Sequence, residues 1–203
     1  MNYDFEAVNI NELLCGDFDK QLSEISSFRR EWMNSYSRQE DKNLCLAASL
    51  LLGRVLGRNG MCEKELSYAV SDNGKPYFLN LPNIHFSISH SGEYAAACIA
   101  DREIGCDIQK ITDVDLNIAK RFFTQKENEY INACQDKKDA FFRLWVFKES
   151  FAKATGRGLV PCLSSVEIHS LEDKPFAFFE NEKYLFFEKN ICNGCKCAVC
   201  VKE

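Results

Sequence analysis

The sequence predicts an α+β protein made of two halves of similar content, each a small antiparallel sheet packed with helices. Three observations point there. The predicted elements run strand, helices and short strands, and then helices and strands again. Each half carries one long, strongly apolar helix, at Glu40 to Gly57 and at Phe141 to Gly158. The strands are short and joined by tight turns, which favours antiparallel pairing. A break near residues 101–104 divides the 203 residues evenly, into halves 1–102 and 103–203.

Residues 3–10, YDFEAVNI, predict an opening strand, with a helix beginning near Asp17 and running to about Phe28. From Glu40 to Gly57, Leu44, Leu46, Leu50, Leu51, Leu52, Val55 and Leu56 give the first long helix. Arg29, Arg30, Arg38, Lys42, Arg54 and Arg58 cluster around it and read most simply as a solvated rim. Asn73-Gly74 signals a turn, and Gly74-Lys75-Pro76 leads into extended chain, because the residue before proline avoids the helical region. His85 to His90 alternates, with Phe86 and Ile88 on one face and Ser87 and Ser89 on the other. Ser91-Gly92-Glu93 and Asp101-Arg102-Glu103 then separate Tyr94–Ala100 and Ile104–Ile111, and the three runs predict an antiparallel meander.

On the third run Ile104, Cys106 and Ile108 share one face, and Gly105, Asp107 and Gln109 the other. Thr124 to Glu127 is a capping box opening a helix that reaches about Cys134. Asp136 to Asp139 breaks the chain before the second long helix, which ends at Gly156-Arg157-Gly158, with Pro161 expected to prevent its resumption. Beyond Ser165, the stretches VEIHSL, FAFFE, YLFFEKNI and KCAVCVK predict strands, the last two joined at Asn193-Gly194.

Composition narrows the function. Hydrophobic content of 46% with 27% charged residues fits a folded globular protein. A net charge of -5 argues against non-specific nucleic-acid binding, while leaving room for a local site that takes a phosphorylated ligand. No apolar run is long enough for a bilayer, and the opening MNYDFEAVNINELL lacks a signal-peptide pattern, so the chain reads as cytoplasmic. In that setting the 11 cysteines read as reduced, core-filling residues rather than disulfides. Cys192, Cys195, Cys197 and Cys200 have the count of a zinc or iron–sulfur site. Strand alternation turns Cys197 and Cys200 to opposite sides, which argues against one.

The second long helix is apolar nearly all round yet contains Lys148, Glu149 and Lys153, the last two four apart on one face. Ionised groups are costly to bury unless paired or ligand-bound. Asp107 and Glu149 could together hold a magnesium ion, with the Gln109 amide oxygen joining directly or through water. Alternatively, Asp107 pairs with a basic residue and Glu149 with Lys153. His90 and Ser89 could donate to a phosphate, although a lone histidine is more often structural. Lys75 is either a solvated turn lysine or, between rigid flanks, a fixed binding lysine.

The stretches FSISHSGEYAAACIA, IGCDIQKI, AKRFFTQKENEYI and LWVFKESFAKATGRGL, downstream of Gly74-Lys75-Pro76, resemble the 4′-phosphopantetheinyl transferases of the Sfp type over about residues 38–163. The W-x-x-K-E-S-x-x-K pattern from Trp145 to Lys153, following G-x-D-I and S-x-S-H, carries the likeness. The resemblance implies a pseudo-dimer of two α+β halves. It implies a monomeric enzyme that transfers phosphopantetheine from coenzyme A to a serine of an apo acyl or peptidyl carrier protein. Adenosine 3′,5′-bisphosphate would be released. Asp107 and Glu149 would bind magnesium, Glu149 would accept the serine proton, and Lys153 would offset phosphate charge, with Lys148 near the same ligand. His90, Ser89, Lys75 and Pro76 would hold the nucleotide, and Arg38 and Lys42 its 3′-phosphate. Neither nucleic acid nor membrane is an expected partner. Two positions depart from the family pattern: Gln109, where many members have glutamate, and Leu44, where arginine is frequent. They motivate an alternative, a non-catalytic module that binds coenzyme A or a carrier protein.

Overall fold

The structure is a computed structural model and describes residues 3–203. It forms two compact units, one ending at Arg102 and the other spanning Glu103–Glu203. In the first, β1 (Tyr3–Asn9) leads to α1 (Ile10–Leu13), α2 (Phe18–Glu24), α3 (Ser27–Asn34) and the 20-residue α4 (Gln39–Arg58). Short strands β2 (Tyr68–Val70) and β3 (Pro76–Phe78) form a separate ribbon, followed by β4 (His85–Ser91) and β5 (Tyr94–Ala100). The main sheet has the order β1-β5-β4, antiparallel throughout. On it Leu51, Leu52, Val55 and Leu56 of α4 join Ala95, Ala97 and Ile99 of β5 in one buried cluster. The alanines leave room for the helix to lie close.

The predicted helix from Asp17 to Phe28 is two helices. The Ser26 side chain accepts from Arg29 N and so opens α3 as a new helix. The cations around α4 are also more than a rim. Arg58 pairs with Asp4 and Glu6, Arg54 pairs with Glu6, and Arg29, only 2% exposed, donates from Nε to Ser49 Oγ at 3.0 Å.

In the second unit β6 (Ile104–Lys110) precedes α5 (Asn117–Phe122), α6 (Gln125–Ala133), the 19-residue α7 (Lys137–Thr155) and α8 (Leu159–Ser165). Then come β7 (Phe176–Phe179), β8 (Glu182–Glu188) and β9 (Cys195–Lys202), in the sheet order β6-β9-β8-β7. Phe147 and Phe151 of α7 share a buried cluster with Tyr184 and Phe186 of β8 and Ala198 and Cys200 of β9. The Thr124–Glu127 capping box makes both of its hydrogen bonds. At the other end of α7, Gly156 takes φ +69°, the left-handed conformation that closes a helix.

Four expectations are corrected. The meander stops at two strands: β4 and β5 pair as expected, but β6 pairs with β9, from Ile104↔Val201 to Lys110↔Cys195. The reason lies in β5, whose two edges are already taken by β1 and β4. Pro161 does not stop the helix from resuming, because it sits in the first turn of α8, where a missing N–H costs nothing. VEIHSL supplies only the bridge between His169 and Phe176, since the Ile168 N–H is taken by a Glu127 oxygen at 3.0 Å. Cys192 and Cys195 form a disulfide, the Asn193-Gly194 turn bringing their Cα atoms to 5.9 Å.

Candidate active site

The site begins with a missing side chain. A Cβ on Gly105 would stand 2.0 Å from Ser150 O and 2.4 Å from Ala154 N, both backbone atoms of α7. Only glycine lets β6 approach the helix so closely. Two residues further along the same face, Asp107 meets α7 with 4% exposure. There the Lys153 Nζ donates to Asp107 Oδ1 at 2.7 Å.

Glu149 lies one helical turn before Lys153 and is half-buried. Burial, and then the negative charge of Asp107, push its carboxyl up to about 6, with Lys153 pulling the other way. For Lys153 burial opposes the charge, but Asp107, Cys106 and Glu149 together outweigh it and raise the ammonium above its ordinary value. Asp107 pairs with a basic residue, as the alternative reading expected, but that residue is Lys153, which the same reading had assigned to Glu149. Glu149 stands in the field of the same pair. Gln109 follows on the same face of β6, half-buried and in register with Lys196, which pairs with Asp139 near the start of α7 at 2.7 Å. Among the described residues no three His, Cys, Asp or Glu side chains gather as a metal-holding group.

Lys148 is corrected. Its Nζ lies 3.0 Å from Glu127 Oε1 and donates to Leu163 O at 2.8 Å and Val166 O at 2.5 Å, with no exposure on either side chain. Three protons have three acceptors in a closed, dry setting, so the ammonium is not available to a ligand.

The remaining candidates belong to the first unit. Ser89, 6% exposed, and half-buried His90 are consecutive on β4, opposite Ala96 and Ala95. Lys75 and Pro76 stand where the turn enters β3. Gly74 takes φ +83° there, and the Lys75 N–H donates to Ser71 Oγ at 3.1 Å. Arg38 precedes α4, exposed and paired with Glu40 at 2.8 Å, while Lys42 is half-buried in the first turns of that helix. Sequence reasoning missed Gly105, though a glycine inside an apolar strand signals a close approach. It read Glu127 only as a cap, because nothing local announces its second partner.

Fold and site together define the class: an α+β enzyme whose acids and lysine, buried at Asp107 and half-buried at Glu149 and Lys153, are carried by one strand and one helix. A family model described as "4'-phosphopantetheinyl transferase superfamily" matches residues 103–200. A 4'-phosphopantetheinyl transferase of Bacillus subtilis is 33% identical over 164 residues, covering 79% of this chain and 73% of that protein. The 4'-phosphopantetheinyl transferase gsp of Aneurinibacillus migulanus is 30% identical over 197 residues, 94% of this chain and 81% of that one. The holo-[acyl-carrier-protein] synthase of Thermotoga maritima aligns with 50% of this chain and 62% of its own, at 21% identity and a TM-score of 0.42. The chain belongs to the 4′-phosphopantetheinyl transferase superfamily.

Proposed function

We propose that this enzyme transfers the 4′-phosphopantetheine group of coenzyme A to a serine of an apo acyl or peptidyl carrier protein, releasing adenosine 3′,5′-bisphosphate. The observation that carries the reading is the grouping of Asp107, Lys153 and Glu149 on β6 and α7. Magnesium fits this set. Two carboxylates, the charge of Asp107 disfavouring ionisation of Glu149, with an amide oxygen on the same strand face as Asp107, are the hard oxygen donors such an ion takes. Asp107 and Glu149 would hold it, and Gln109 would join directly or through water. Bound there, it would neutralise pyrophosphate oxygens and so stabilise the leaving bisphosphate.

The chain's own groups supply the rest. The Glu149 carboxylate, half-buried beside Asp107, would accept the proton of the carrier serine directly or through a water. Lys153, kept cationic by Asp107, offsets negative charge on the phosphate in transfer. His90, Ser89, Lys75 and Pro76 hold the nucleotide, and Arg38 and Lys42 reach its 3′-phosphate. The halves 1–102 and 103–203 act as the two domains of a cytoplasmic monomer, with no nucleic acid or membrane as partner. No described helix is long and apolar enough to cross a membrane.

The test is incubation with coenzyme A, magnesium and a panel of apo carriers, followed by mass spectrometry for the phosphopantetheine adduct. Glu149→Gln should lose most transfer while remaining folded, and wild-type rates from it would sink this mechanism. Gln109→Glu should stay active and need less magnesium. Complete loss of activity would speak against a side chain near the metal. A second reading, a binding module without catalysis, is favoured by Gln109 and by Leu44, a half-buried residue of α4. Coenzyme A binding with no adduct on any carrier would select it.

A further inference from the structure

Lys148 and Glu149 are neighbours on α7 with opposite duties. The Lys148 ammonium is fully buried, 5.4 Å above the centre of the Phe123 ring, and held by Glu127, Leu163 O and Val166 O. Its partner Glu127 is equally buried and spends both oxygens: Oε2 accepts from Thr124 N at 2.8 Å, and Oε1 accepts from Ile168 N at 3.0 Å. One ion pair therefore ties the start of α6, the middle of α7, the end of α8 and residue 168 into a single junction. Glu149 leaves the same helix about 100° further round its axis, toward Asp107.

A dry ion pair of this kind is a poor source of stability, since well-packed apolar side chains of similar volume usually serve as well. What it does impose is geometry, because each hydrogen bond fixes a direction as well as a distance. We propose that Glu127 and Lys148 are a positioning pair, which sets the rotation and depth of α7 so that Glu149 and Lys153 stand at Asp107, and that neither touches the substrate. Lys148 thus acts through Glu149, although it lies within the stretch that carries the family likeness. The inference rests on the transferase reading for its kinetic arm only.

The experiment compares Lys148→Met, Glu127→Gln and the double variant with wild type, in transfer kinetics and in amide hydrogen exchange across residues 147–153. Each single change strands a buried group and loosens the junction. The expected result is a kcat lower by about tenfold to a hundredfold, the scale of small misplacements of reacting groups. KM for coenzyme A should be unchanged and exchange across 147–153 faster. The double variant, with no stranded charge but without the directing bonds of Lys148, should regain stability while kcat stays low and exchange fast. A kcat back at the wild-type level in it would overturn the proposal. A raised KM for coenzyme A in Lys148→Met that persists in the double variant would make Lys148 a substrate contact and overturn the proposal. Normal kcat in both singles, measured well below their melting temperatures, would reduce the pair to a structural role and overturn it equally. If wild-type protein transfers nothing, the function fails on its own. The tether is then judged by exchange alone, and unchanged exchange in the singles overturns it.

Discussion

At Glu149, burial and the charge of Asp107 move the carboxyl from its ordinary 4.5 to about 6. Between those values the folded chain holds a proton that the unfolded chain has lost, so stability falls as pH rises through the window. The deficit is absent below the lower value and complete above the upper one. In metal-free protein Glu149→Gln should therefore be the more stable form at neutral pH, by at most about 2 kcal/mol, with the advantage gone by about pH 4. Urea unfolding in the presence of a chelator measures this, and a less stable glutamine variant at neutral pH would show that Glu149 has a net favourable partner. Asp107, Glu149 and Lys153 were legible in the sequence because a charge inside an apolar strand or helix demands an explanation. Lys148 was misread for the same reason. Its charge demanded a partner too, and that partner lies 21 positions earlier in the chain, in a helix whose cap accounted for it already.

One element pair builds the scaffold: β6 laid on α7 through the gap at Gly105. Gly105→Ala would drive a methyl group into the Ser150 and Ala154 backbone, so strand and helix must separate. A loss of about 1–3 kcal/mol or more is expected, as for other overpacked cores, together with loss of transfer. A urea midpoint equal to wild type would show that the contact yields easily. Helices α4 and α6 were readable to within a residue or two, since a long apolar face and a capping box are local signals. Helix α7, by contrast, starts four residues before Phe141, because Asp136 caps it and the supposed break at Lys137–Asp139 is its first turn. The pairing of β6 was not readable. A short connection fixes where a strand begins, whereas its partner depends on which edges elsewhere are still open.

Over the whole molecule the cysteines sort by depth. Cys15 and Cys62 are exposed and Cys134 half-buried, whereas Cys45, Cys98, Cys106, Cys162, Cys197 and Cys200 are buried. Burial also pushes the Cys45, Cys162 and Cys197 thiols up, away from the reactive thiolate. A thiol reagent should label Cys15 and Cys62 quickly in native protein, Cys134 more slowly, and the buried six only on unfolding. Fast labelling of Cys106 or Cys197, located by peptide mass mapping, would contradict this packing.

The pairing of β6 with β9 also bears on how the enzyme is made. Ile104 waits for Val201, and among the described residues β9 is the only sheet neighbour that β6 has. At typical ribosomal speeds the interval between the two is on the order of ten seconds. During it the nascent chain already carries Asp107 and then Glu149, yet the strand that must hold Asp107 against α7 has nothing to pair with. The site is therefore among the last features the chain can assemble, and a message cut short before residue 195 would encode every one of its acids and lysines without encoding the site.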